Sequence, residues 1–124
     1  MYDHTDETVK WNMVSRANAT QILIGIKDRL EWLGFIHHVK SKARVTTCDY
    51  HTPTGSVSVH LTGYLDHQGR MGSYDIHVSE GPFERLVRTV FASVGIRDPG
   101  CQLLGGEKVY GMKVLERAPM DNGQ

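Results

Sequence analysis

Across residues 56–78, apolar and polar side chains alternate along two runs separated by a turn, and this double alternation constrains the chain more than any other stretch. Val57, Val59, Leu61 and Leu65 share one face of the first run, and Tyr74, Ile76 and Val78 one face of the second, the period of two that a β-strand imposes. The intervening Asp66-His67-Gln68-Gly69-Arg70 holds a glycine free to take positive φ, so two antiparallel strands joined by a turn are predicted. Both apolar rows reach one core face only if Leu61 pairs with Ile76 and Val59 with Val78, because a slip of one residue reverses one row. That register sets His60 opposite His77. It also sets Asp75 opposite Thr62 and diagonal to His60, gathering two imidazoles and a carboxylate on the polar face.

The remaining segments supply what such a hairpin needs to bury its apolar side. Val9, Trp11 and Met13 alternate with Lys10 and Asn12 and predict a short strand. Asn18, with Gln21 three residues on, predicts the N-terminus of a helix whose inner stripe is Ala19, Ile22, Leu23, Ile26, Leu30 and Leu33 and whose end is Gly34. Gly25 inside that helix costs about 1 kcal/mol relative to alanine, which implies close packing there, expected against the sheet. Phe35 and Ile36 read as core, residues 37–42 as a polar connector, and residues 43–50 as a strand rich in valine and threonine. Ser79 and Pro82 predict the start of a second helix with Phe83, Leu86, Val87, Val90, Phe91 and Val94 inward and Glu84, Arg85, Arg88 and Thr89 outward. Residues 101–104 and 108–115 flank Gly105-Gly106 as a terminal hairpin. The order β-α-β-β-β-α-β-β predicts an α+β fold, a two-layer sandwich in which two amphipathic helices pack on one face of a mostly antiparallel sheet.

A length of 124 residues suits one domain, 1–124, with polar termini at 1–7 and 118–124. Fourteen basic residues balance fourteen acidic ones, so the molecule lacks the strong positive field of a protein that coats nucleic acid. Cys48 and Cys101 match no paired-cysteine zinc spacing, and the acidic start has no secretory pattern. No run approaches the roughly 18 apolar residues of a membrane span. The expected location is the cytosol of whatever cell makes the protein, without membrane contact.

His60, His77 and Asp75 have the donor chemistry of a divalent metal site, since imidazole and carboxylate suit zinc, manganese or iron, and open positions would activate water. The plainer alternative is a solvated sheet face. His60-Leu61-Thr62-Gly63-Tyr64 resembles the metal-binding strand segment of the rolling-circle replication-initiator nickases, and Tyr110-Gly111-Met112-Lys113 is similar to that family's nucleophile pattern. The resemblance implies a metal-dependent nuclease in which Tyr110 attacks DNA phosphate. The run of helix, strands and helix is also similar to double-stranded RNA-binding domains, with Glu80-Gly81-Pro82-Phe83-Glu84 where their basic segment stands.

Arg85 and Arg88, if they adjoin Lys40, Lys42 and Arg44, would hold phosphates, with Tyr64 or Tyr74 stacking a base, as a local nucleic-acid-binding module requires. Trp32 stands off the helix stripe beside Arg29 and is a candidate contact for a protein partner. No serine or cysteine can be linked to a histidine and an orienting acid, and no glycine loop cradles a phosphate. The leading expectation is therefore a small non-catalytic interaction protein, an inhibitor, adaptor or assembly subunit, without a required cofactor. It would bind another macromolecule, or a second copy of itself, through a sheet face or edge.

Overall fold

A computed structural model describes residues 10–115; Val9 and the polar termini lie outside the described residues. The elements are β1 (Trp11–Val14), α1 (Arg16–Trp32), β2 (Ile36–Lys42), β3 (Val45–His51), β4 (Val57–Leu65), β5 (Met71–Ser79), α2 (Pro82–Ser93), β6 (Gln102–Leu104) and β7 (Glu107–Val114). The fold is α+β, with seven strands in the order β1-β7-β5-β4-β3-β2 and β6 alongside β7. Every pairing is antiparallel except that of β1 with β7.

The order of elements follows the predicted one, with one strand more. Residues 37–42, expected as a connector, form most of β2. This strand lies at the sheet edge and is exposed along nearly its whole length. With little to bury on either face, it carries no clean alternation, and its Lys40 and Lys42 are the charges an unpaired edge commonly bears.

The β4–β5 hairpin has the predicted register. Leu61 pairs with Ile76, Val59 with Val78, His60 with His77 and Thr62 with Asp75. Its turn is closed by Asp66, whose backbone N–H donates to Arg70 O at 2.7 Å and whose Oδ1 accepts from the N–H groups of Gln68 and Arg70. Gly69 adopts φ 81°, the conformation the turn requires. These backbone bonds to its carboxylate hold Asp66 below the usual carboxylate range.

One face of the sheet carries Tyr50, Val59, Leu61, Tyr74, Ile76, Val78, Tyr110 and Met112 and is covered by Ala19, Ile22, Ile26 and Leu30 of α1 and Val87, Val90 and Phe91 of α2. The helices touch closely. A Cβ added at Gly25 would stand 2.8 Å from Val90 Cγ1, so Gly25 admits α2 rather than the sheet. The cap of α1 is Ser15, not Asn18: Ser15 is extended and its hydroxyl accepts from the Asn18 N–H at 3.1 Å. Gly81, not Ser79, caps α2, because Ser79 is still the last residue of β5 and Gly81 takes φ 135° to turn the chain.

Candidate functional site

The uncovered face of the sheet is read in rows across the strands. His38, Asp49, His60, His77 and Val109 form one row, and Lys40, Thr47, Thr62, Asp75 and Gly111 the next. His60 and His77 face each other as predicted, with ring centroids 5.6 Å apart and planes at 79°. The acid that engages His60 is Asp49, one strand over, through Nδ1. In the neutral ring that bond places the proton on Nδ1, so Nε2, 3.2 Å from Thr62 Oγ1, accepts from the hydroxyl. His77 instead lies between Asp75 (Nε2 to Oδ1, 3.5 Å) and Glu107 (Nδ1 to Oε1, 3.6 Å). Asp75 first, and Glu107 after it, hold the His77 ring above the usual imidazole range against the opposing effect of burial. Asp75 is 9% exposed, and its Oδ1 is buried without a hydrogen bond.

Both nitrogens of His60 are engaged, and among the described residues no three His, Cys, Asp or Glu side chains converge to hold a metal ion. Asp49, His60 and Thr62 have the order of orienter, base and hydroxyl seen in nucleophile relays. β4 is paired on both sides, so its backbone N–H groups are committed to the ladders.

The two motifs similar to replication initiators are separated by the sheet itself. Tyr110 pairs with Ile76 on the helix-covered face and is fully buried, whereas His60 stands on the other face. The Tyr110 hydroxyl donates to Glu84 Oε2 at 2.6 Å, and burial pushes its pKa up. Glu84, expected to face solvent, is buried. Lys108 Nζ at 3.6 Å and Arg88 Nε at 3.8 Å lie close to the same oxygen. The signal was in the spacing, since Glu84, Val87 and Phe91 recur at the interval of an inner helical stripe.

The basic residues do not form one surface. Arg88 is held by Glu84 and donates to Tyr110 Oη at 3.4 Å, while Arg85 is exposed on α2. Lys40 and Lys42 share the uncovered face with Thr47 and Val45, so the sheet stands between them and α2. Arg44, in the β2–β3 turn, donates to the Asp66 carbonyl.

Trp32 is 88% exposed. It lies two residues beyond Leu30, about 200° around the helix from the buried stripe, which directs its indole to water. A shallow depression beside it is lined by Asp28, Arg29, Leu33 and Leu86. Leu33, at the end of α1, and Ile36, at the start of the edge strand β2, both expected inside, are exposed as well. Among the described residues no helix is long and apolar enough to cross a membrane. No family model, curated protein or solved structure matches this chain.

Proposed function

We propose that this is a non-catalytic interaction protein whose partner docks on the exposed Trp32 and Leu33 at the end of α1 and on the edge strand β2, which follows them in the chain. The observation that carries the reading is the 88% exposure of Trp32. A tryptophan left in water contributes nothing to the core, yet it is the side chain that yields most when desolvated in a partner's pocket. The edge strand offers unpaired backbone donors and acceptors, and its charged side chains, Lys40 and Lys42, are both basic. An extended segment bearing acidic residues complements it. A second copy of the chain fits less well, because antiparallel pairing of β2 about Lys40 or Ser41 brings lysines together.

Affinity capture from the producing cells, run in parallel with wild type and Trp32→Ala, tests the reading. A partner held by wild type is expected to be weakened about 30-fold or more by the substitution, as removal of an anchor worth about 2 kcal/mol requires. Lys40→Glu with Lys42→Glu is expected to weaken the same partner further. Equal recovery by wild type and Trp32→Ala rejects the proposal.

A further inference from the structure

Arg85 and Arg88 lie across the sheet from Lys42 and Arg44, yet these two have basic neighbours from distant parts of the chain. The ladders set Lys42 beside Val45, Val45 beside Tyr64, Tyr64 beside Ser73 and Ser73 beside Lys113, with Met13 at the end, as one row across the uncovered face. Lys42 and Lys113 stand four strand spacings apart, about 19 Å, with Tyr64 midway. The row contains no acidic residue. Along its Tyr64–Lys113 half a hollow of about 330 Å³ is lined by Tyr64, Ser73 and Lys113, by Leu65 and Asp66, and by Arg16, the first residue of α1.

Most carboxylates of the described residues are committed elsewhere. Glu31 pairs with Lys27, Glu80 and Glu84 with Lys108, Asp49 with His60, and Asp75 and Glu107 with His77, so among the described residues Arg16, Lys42 and Lys113 have no carboxylate partner. Asp66 Oδ1 accepts from the backbone N–H groups of Gln68 and Arg70, and its Oδ2 is buried. Arg16 donates to Met71 O at 3.0 Å and Arg44 to the Asp66 carbonyl, bonds that hold both guanidinium groups at this end of the sheet without neutralising them. Arg16, Lys42, Arg44 and Lys113 thus stand against Asp66 and, in the next row, Asp75. A chain of zero net charge carries a positive excess here.

Cations spread over about 19 Å cannot meet on one carboxylate or one phosphate, so the surface is complementary to a polyanion. What lies between them selects which. Val45, Tyr64 and Met13 are all exposed, so an aromatic ring and apolar side chains stand where the groups between successive phosphates would lie. Unstacked bases answer to that arrangement. Acidic side chains of a peptide meet the charges but not the ring, a duplex keeps its bases stacked inside, and a flat bilayer leaves the hollow unfilled. We propose that this end of the uncovered face binds single-stranded nucleic acid, with a base against Tyr64 and phosphates held by Lys42, Arg44, Lys113 and Arg16. Arg16 and Trp32 are at opposite ends of α1, about 24 Å apart, so the site is distinct from the surface assigned to a protein partner.

Fluorescence anisotropy with labelled dodecathymidylate and dodecauridylate tests this. Saturable binding of at least one is expected, and the tighter of the two names the source. The logarithm of affinity is expected to fall against the logarithm of salt concentration with a slope of about −2 to −3, as four phosphate contacts on a single strand require. Lys113→Gln is expected to weaken binding and to make that slope shallower by about 0.7. Tyr64→Leu is expected to weaken binding at least about fivefold with the slope unchanged, as loss of a stacking contact requires. Trp32→Ala is expected to bind as wild type does, which separates this site from the docking of a protein partner. The Tyr64 ring resonances of the wild-type protein are expected to shift on adding the strand, a readout independent of any variant's folding. Absence of saturable binding at low salt, an affinity independent of salt, or undiminished binding by folded Lys113→Gln overturns the site. Undiminished binding by folded Tyr64→Leu overturns the single-strand reading. Tighter binding of a duplex, of polyglutamate or of phosphatidylserine vesicles assigns the face to that occupant and overturns the proposal.

Discussion

At the scale of single residues, the uncovered sheet face shows how one polar row can hold histidines in different electrostatic settings. His60 is bound by Asp49 and Thr62, while His77 stands between Asp75 and Glu107 and is raised above its ordinary range. A histidine whose pKa is higher in the folded state stabilises the fold fully below about 6.5, its unfolded value, and the contribution fades as pH rises through the folded value. His77→Gln is therefore expected to destabilise the protein more at about pH 5.5 than at about pH 8.5 in urea titrations. A loss independent of pH would assign His77 a packing role alone. That His60 and His77 would face each other was legible from the hairpin alone. Asp49 was legible only in principle: pairing Cys48 and Tyr50 with Leu61 and Val59 aligns their apolar rows and sets Asp49 opposite His60, but that requires the register of a third strand. Trp32 was readable from its angle on the helix.

At the scale of elements, the contact between α1 and α2 decides how the helical layer sits. Gly25→Ala gains about 1 kcal/mol of helix propensity but forces a methyl to 2.8 Å from Val90, and overpacking of a core contact costs about 1–3 kcal/mol. The expected net effect is a loss of about 1 kcal/mol, seen as a lower denaturation midpoint. An unchanged or raised midpoint would mean that α2 shifts without penalty. Both helices were readable from their stripes, but their caps were misassigned, Glu84 was expected outward and Leu33 inward. The caps depend on where the preceding strand stops, and Ser15 and Gly81 each lie just past strands whose ends the alternation does not mark. Strand β2 was missed for the opposite reason, since an element that buries little has no pattern to read.

At the scale of the whole molecule, the layer arrangement followed from the apolar periods, because two amphipathic helices and a one-sided sheet have one economical way to cover each other. The edge at β2 carries its own protection. Replacing both Lys40 and Lys42 by valine leaves a longer apolar edge of high strand propensity, and the variant is expected to self-associate more strongly than wild type in sedimentation experiments. Identical sedimentation of the two would show that the edge is shielded by something other than charge.

Strand β1 lies parallel to β7, and the Asn12 amide bridges Gly111 O at 3.0 Å and Gly100 O at 2.9 Å, the former 99 positions along the chain. During synthesis the first strand thus emerges long before its neighbour exists. The hairpins between them can form as soon as they leave the ribosome, but the outermost ribbon must stay unpaired until translation has passed Val114. Pairing of β1 thereby waits for the synthesis of β7, and until then the nascent chain carries an open margin.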